Sequence, residues 1–286
     1  MPEGHTIHAL ADRLTRAFGD SPVTATSPQG RFTADAALLD GRVLEDAAAA
    51  GKHLFVDIGD RILHVHLGLI GTFPVIPITD DKPPDPVGTV RLRLVGQEHY
   101  ADLRGPMVCA LIDLDTREAI RSALGPDPLD PAADPGVALM RIRRTRRGIG
   151  ALLLDQAVVA GIGNVYRCEV LHRHRIDPFA AGTELTEELW WTIWADLVRL
   201  LPLGVAFGQI LTLAEQVREA EQLVADGRAG PITRSLTGER LGDYFERRFA
   251  TYQRAGEPCH RCGTILRGEK VSGRRLYWCP GCQTRH

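Results

Sequence analysis

The chain has 286 residues, of which 44% are apolar and 24% charged. That is enough to bury one large core or two modest ones, which excludes a peptide-sized or disordered protein. No apolar run reaches the ~18 residues of a membrane span, and the start, MPEGHT, lacks the basic flank and apolar stretch of a secretory signal, so a cytoplasmic protein without a membrane partner is expected. The net charge of −2, from 34 Lys+Arg against 36 Asp+Glu, argues at first against a nucleic-acid partner. Divided along the chain it argues the reverse: residues 1–136 carry 12 Lys+Arg and 20 Asp+Glu, and residues 137–286 carry 22 and 16. An acidic front and a basic back are an asymmetry that nucleic-acid proteins show.

The chain opens Met1-Pro2-Glu3-Gly4-His5. Removal of Met1 before a proline leaves a secondary amine. With a reference pKa of about 8, about a quarter of it is neutral near pH 7.5, against about 0.1% of an ordinary lysine, so the terminal amine is the more available nucleophile. Its attack on a sugar C1′ gives an iminium, and Glu3 beside it can shuttle a proton to the opened sugar. Thr6 is placed to cap a first helix, with Ile7, Leu10, Leu14 and Phe18 recurring on one face. From Val43 to Cys109 short β segments follow, and Val90, Leu92 and Leu94 alternate with Arg91 and Arg93, as in a half-exposed strand. A two-layer β domain of about 120 residues fits them.

Residues 125–135 hold four prolines and read as an interdomain linker. Arg141, Arg143, Arg144, Arg146 and Arg147 then crowd into seven residues, either a solvated basic face or a phosphate contact. The remainder is helical in character, with candidate helices at 152–160, 165–174, 187–201 and 205–226. Before the second of these, Gly161-Ile162-Gly163-Asn164 predicts a tight turn at a helix N-terminus, either an ordinary connection or an anion site, and nearby Arg167, Arg173 and Arg175 favour the anion site. Asn164 can cap the helix or offer its amide to a phosphate.

Cys259-x-x-Cys262 and Cys279-x-x-Cys282 are separated by sixteen residues. In a chain without a secretory signal this is a metal pattern rather than a disulfide framework. Four thiolates close a tetrahedral zinc site with no open position, so the one expected zinc is structural. Residues 257–286 carry six Lys+Arg and two Asp+Glu, which suits a finger that reaches DNA phosphates.

Taken in order, Pro2-Glu3-Gly4, Gly51-Lys52 before a strand, Gly161-x-Gly163-Asn164 and Gly256-Glu-Pro-Cys…Cys-Pro-Gly-Cys-Gln resemble the Fpg/Nei family of DNA glycosylase/AP lyases over essentially the whole chain. The resemblance implies an α+β multidomain fold: an N-terminal β-sandwich catalytic domain with a leading helix (2–125), a Pro-rich linker (126–136), a helical helix-two-turn-helix domain (137–254) and a C-terminal zinc-finger β-hairpin (255–286). It implies a monomer acting on damaged double-stranded DNA by β,δ-elimination, with no diffusible cofactor. Pro2 matches the nucleophile, Glu3 the proton donor to the deoxyribose, and Lys52 the residue assigned to β-elimination and phosphate contact. Asn164 matches the phosphate-binding asparagine, and Arg274 the finger arginine at the lesion, with Arg275 the alternative if the hairpin register slips by one. Leu69 and Arg104 match side chains that fill the space of a flipped base. The neighbouring wedge positions, Gly68 and Pro106, depart from the family. Pro-Glu-Gly at the start and Trp278-Cys-Pro-Gly-Cys in the finger lean towards the Nei branch and oxidised pyrimidines. The alternatives are preference for 8-oxoguanine and formamidopyrimidines and, outside the class, a non-enzymatic nucleic-acid-binding zinc protein.

Overall fold

The computed structural model describes residues 2–80, 82–228 and 244–284. The chain divides into two compact units, residues 1–123 and 124–286. The part of the expected helical domain at 229–243 and the last two residues of the expected finger lie outside the described residues.

The first unit begins with helix α1 (Gly4–Phe18). Its buried face carries Ile7, Leu10, Leu14 and Phe18, as the periodicity predicts. Its N-cap is Glu3 rather than Thr6. The Thr6 amide already donates to the Glu3 carbonyl at 2.9 Å, and the Thr6 hydroxyl lies 3.2 Å from His5 Nε2, so Thr6 belongs to the first turn. Strand β1 (Ser21–Thr26), helix α2 (Thr33–Leu39) and strands β2 (Arg42–Ala50), β3 (His53–Ile58), β4 (Arg61–His66), β5 (Val75–Pro77), β6 (Val90–Val95), β7 (His99–Arg104) and β8 (Val108–Ile112) follow, with helix α3 (Leu114–Ser122) closing the unit. The strands are antiparallel in the order β5-β7-β6-β1-β2-β3-β4-β8. Strand β1 joins the two halves: Ser21–Val23 pair with β2 and Thr24–Thr26 with β6. Val23, Leu44, Leu54, Val56, Leu63 and Val65 from one half share a core with Leu92, Leu94 and Leu103 from the other and with the inner face of α1.

Within the second unit, residues 125–135 are packed rather than free. The Gly125 amide donates to the Gln156 carbonyl, the Pro126 carbonyl accepts from Ala160, and Asp134 caps helix α4 (Pro135–Arg143), which starts with Pro135 at its first turn. The prolines therefore mark turns, and the helix begins inside the expected linker. Helices α5 (Ile149–Leu152), α6 (Asn164–Arg173), α7 (Glu187–Phe207) and α8 (Ala214–Ala225) follow. The expected helix at 152–160 is mostly turn, because the Asp155 carbonyl and carboxylate draw the amides of Val158, Val159 and Ala157. The expected helix at 205–226 is split by Gly208, whose left-handed φ of 64° ends α7. Helix α7 is long and apolar enough to cross a membrane by length and composition alone. Its inner face, Trp190, Ile193, Trp194, Leu197, Leu200 and Leu201, forms the core of this unit with Leu139, Leu152, Tyr166 and Leu171. Strands β9 (Arg267–Val271) and β10 (Arg274–Trp278) form the terminal hairpin.

Candidate active site and zinc finger

The chain end, the β2–β3 hairpin and two turns carry the candidate groups of the first unit. Pro2 is partly exposed, and Glu3, directly before α1, is fully buried. Lys52 is half-buried in the two-residue turn that joins Ala50 to its cross-strand partner His53. Burial drives the pKa of His5 down to about 3, and the charges of the N-terminal amine, His8 and Lys52 push it the same way. His66 is lowered by burial and then by Lys52. Beside it, His53 Nδ1 lies 3.0 Å from His64 Nε2, and burial takes both rings down to about 4. None of these histidines was singled out from sequence, because each sits in an ordinary strand or helix pattern.

Leu69 lies in the turn after β4 and Arg104 at the end of β7. Leu69 is 42% exposed, its neighbour Ile70 83% and Met107 67%. Three large apolar side chains on two neighbouring turns, the second tied to the first by Met107 N donating to the His66 carbonyl, form a feature that soluble proteins seldom leave open without a use. Gly68 has φ +69°, and a Cβ there would fall 3.1 Å from Met107 Cβ and 3.3 Å from Met107 Cε, so Met107 occupies the space a side chain at 68 would need. The Arg104 guanidinium is partly committed, donating to Asp102 at 2.8 Å and to the Val87 carbonyl at 3.3 Å.

In the second unit Gly163, not Asn164, is the N-cap of α6. Asn164 is buried, and its amide donates to the Arg275 carbonyl of β10 at 2.9 Å. A primary amide has two N–H groups, so it can hold the finger strand and still donate once more. Arg167, expected near phosphate, is fully buried: it donates to Asn164 Oδ1, to the Gly150 carbonyl and, at 3.4 Å, to the Arg274 carbonyl. Arg173 is partly buried and committed to a bidentate pair with Asp196. In the arginine run, Arg141 donates to the carbonyls of Leu124 and Ala157 and Arg147 pairs with Asp155, whereas Arg143, Arg144 and Arg146 are exposed. A guanidinium has five donors in a fork, and buried carbonyls compete with phosphate for them.

The β9–β10 register pairs Arg274 with Val271 and Arg275 with Lys270. Ser272 and Gly273 between them both have positive φ, as a tight two-residue hairpin requires. Arg274 thus follows the turn directly, and Arg275 beside it is exposed, with its guanidinium 5.8 Å from the Tyr277 ring centre.

The four sulfurs of Cys259, Cys262, Cys279 and Cys282 lie within 4.8 Å of one another. Cys262 is 3.4 Å from Cys279 and 3.3 Å from Cys282, and Cys259 is 3.9 Å from Cys282. A zinc tetrahedron with 2.3 Å bonds spaces its sulfurs by about 3.8 Å, whereas a disulfide needs about 2.05 Å. The donor set and spacing therefore fit one structural zinc. Gly281 is required by this packing, since a Cβ there would meet Thr264 Oγ1 at 2.3 Å.

Glu169 is a positioning residue that sequence reading missed. It is fully buried in α6, and its two oxygens accept from the amides of Ala250, Thr251 and Tyr252 and from the hydroxyls of Thr212 and Thr251. It fixes the strand of chain that leads into the finger. The one available signal was a carboxylate inside an apolar helical run, Cys168-Glu169-Val170-Leu171.

Comparisons with known proteins match three successive parts of the chain. Residues 1–108 match the formamidopyrimidine-DNA glycosylase N-terminal domain, residues 124–215 the formamidopyrimidine-DNA glycosylase H2TH domain, and residues 256–285 the zinc finger found in FPG and IleRS. Endonuclease 8 1 of Mycobacterium tuberculosis is 46% identical over 288 residues, covering 99% of this chain and all of the relative. Probable endonuclease 8 2 of Streptomyces coelicolor is 34% identical over 292 residues, covering 99% and 94%. In fold, the chain is similar to Lactococcus lactis Fpg in a complex with DNA containing an abasic site, with a TM-score of 0.74 at 22% identity over 99% of this chain and 100% of that one. Three consecutive family matches, near-complete coverage and the four-sulfur finger together place the chain in the Fpg/Nei family of DNA glycosylases, enzymes of base-excision repair.

Proposed function

We propose that the chain is a bifunctional DNA glycosylase/AP lyase that removes oxidised bases, pyrimidines first, through an iminium on Pro2. The observation that carries this reading is the chain end itself: Pro2 is partly exposed and Glu3 is fully buried at the start of α1, with Lys52 in the β2–β3 turn of the same unit. Once Met1 is removed, the Pro2 nitrogen attacks C1′ of the flipped nucleotide. The base leaves with the C1′–N bond pair and takes a proton. Glu3 protonates the ring oxygen as the sugar opens to the iminium. The iminium acidifies the C2′ proton. Loss of that proton expels the 3′-phosphate, and a second elimination expels the 5′-phosphate. Water finally frees the amine. Lys52 serves the first elimination, and Arg274 and Asn164 hold phosphates.

Leu69 and Arg104 fill the space of the flipped base. Ile70 and Met107 enlarge the apolar wedge, in keeping with apolar side chains that insert between base steps. The pyrimidine preference is supported by Pro-Glu-Gly at the start and by the Trp278-Cys-Pro-Gly-Cys finger. The protein acts as a monomer on damaged duplex DNA in the bacterial cytoplasm.

Borohydride trapping tests the reading on duplexes carrying thymine glycol, dihydrouracil, 8-oxoguanine or an abasic site. The processed chain is expected to form a covalent adduct. A chain with an uncleaved N-terminal extension, in which Pro2 is an amide, is expected to form none. Equal trapping by both, or no adduct with any lesion, overturns the Pro2 assignment, and the latter favours a non-enzymatic DNA binder. Faster trapping on 8-oxoguanine than on either pyrimidine overturns the lesion preference alone. Lys52→Ala and Arg274→Ala are each expected to slow strand cleavage, and full activity in both removes their assigned roles.

A further inference from the structure

The zinc knuckles are held to the C-terminal end of α6 by polar contacts that none of the lesion chemistry uses. Gln283 is buried; it accepts from the Cys279 amide at 2.8 Å and donates to the Ile176 carbonyl at 3.0 Å. Arg261, inside the Cys259–Cys262 knuckle, donates to the His172 carbonyl at 2.9 Å. The imidazole of His172, in the last turn of α6 and 4% exposed, faces the same knuckle: its Nε2 lies 3.5 Å from Cys259 Sγ. Its other nitrogen, Nδ1, is buried with no hydrogen-bond partner among the described residues.

From this contact we infer that His172 is an outer-shell donor to the zinc site, giving an Nε2–H···S hydrogen bond to the Cys259 thiolate. A zinc-bound cysteine has lost its proton and can only accept, so the hydrogen in the 3.5 Å contact comes from the ring. That fixes the tautomer, with hydrogen on Nε2 and a bare lone pair on Nδ1. The lone Nδ1 then makes sense. An unsatisfied buried acceptor is tolerated more readily than an unsatisfied buried N–H, which the opposite tautomer would leave. Four thiolates give a zinc site a formal charge of −2, and a buried donor draws part of that charge off one sulfur. Outer-shell partners of this kind typically change metal affinity by about 10–100-fold. Because the ring projects from the helix that begins with Asn164, the same contact ties metal retention to α6. The inference rests on the zinc finger alone and not on the lesion, the nucleophile or the pyrimidine preference.

The test is zinc release from the full chain to a chromogenic chelator, read as a rate. His172→Phe keeps a flat ring without the donor and is expected to release zinc about 10–100-fold faster than the parent. His172→Gln restores an N–H donor and is expected to recover most of the retention. In the cobalt-substituted protein, the thiolate-to-metal absorption band is expected to shift in His172→Phe and to return in His172→Gln. Release at the parental rate in His172→Phe, or equal acceleration in both variants, overturns the assignment. Should His172→Phe not fold, nitrogen-15 NMR of the unaltered zinc-loaded chain decides: a protonated Nε2 with a bare Nδ1 is expected, and the reverse tautomer overturns it.

Discussion

Glu169→Gln is the sharpest perturbation the structure offers, because it changes one atom and leaves the shape intact. In the parent, Oε1 accepts from Thr251 N at 2.8 Å, Thr251 Oγ1 at 3.0 Å and Tyr252 N at 2.9 Å, and Oε2 accepts from Ala250 N at 2.8 Å and Thr212 Oγ1 at 3.0 Å. A glutamine is best placed with its oxygen over the three donors, which turns its NH2 toward Ala250 and Thr212. The Thr212 hydroxyl can rotate and accept. The Ala250 amide, only partly buried, cannot, and leaving it without a partner costs about 1 kcal/mol, the low end for an unsatisfied donor. The three remaining bonds lose their charge assistance, which adds about 1–2 kcal/mol. A total of about 2–3 kcal/mol is expected, a large share of the stability of a domain this size. All four tryptophans, Trp190, Trp191, Trp194 and Trp278, lie in the second unit, so their fluorescence during urea unfolding reports that unit alone. With a slope of about 2 kcal/mol/M, the midpoint should fall by about 1–1.5 M. A midpoint within about 0.25 M of the parent refutes the reasoning.

Asp102 is buried between Arg93 and Arg104, accepting from Arg93 at 2.7 and 2.9 Å. Asp102→Ala strands the buried Arg93 and should destabilise the first unit by about 3–5 kcal/mol, seen as faster hydrogen exchange across β6 and β7 and contradicted by unchanged protection there. His5 is fully buried with its pKa lowered from 6.5 to about 3, so between those values only the unfolded chain takes the proton. Stability is therefore complete above about pH 6.5 and declines as pH falls, by about 3 kcal/mol at pH 4.5 from this residue. Calorimetry at pH 7 and 4.5 should show the decline smaller in His5→Leu, and an equal decline in both chains removes His5 as its source. Stripping zinc should loosen the knuckles and red-shift Trp278, which is buried edge-on to Phe179 beside Cys279; an unchanged emission spectrum after full metal removal contradicts a structural zinc. Met107→Ala should leave the melting temperature nearly unchanged, because the side chain is 67% exposed, yet weaken binding to an abasic duplex; unchanged affinity excludes Met107 from the wedge.

Some of this was legible because the signal was local. Helix α1 announces itself in the spacing of Ile7, Leu10, Leu14 and Phe18, and α6 in the glycines before it. The knuckles are each built within four residues, so Cys-x-x-Cys reads directly as two sulfurs from one turn. Other elements carried no such signal. Helix α3 has no buried residue and hence no apolar stripe to detect, and α2 is a seven-residue, alanine-rich segment. Residues 152–154 look like the start of a helix until the carboxylate and carbonyl of Asp155 are seen to take the following amides.

By itself the sequence determined the chemistry available: a proline that can become a terminal amine, a glutamate next to it, a lysine between a glycine and a strand, four thiols at zinc spacing, and the uneven division of charge between the two halves. What only the tertiary structure decided is how each polar group is used. Arg167 and Asn164 read alike as phosphate ligands, yet the fold commits Arg167 to buried carbonyls and divides Asn164 between Arg167 and the finger strand. Glu169 and His172 read as ordinary helix residues, yet one organises residues 250–252 and the other faces Cys259. The physical reason is sequence distance. Propensity and spacing act over a few residues, whereas a buried polar group is satisfied by whatever the folded chain brings to it, here from more than eighty residues away.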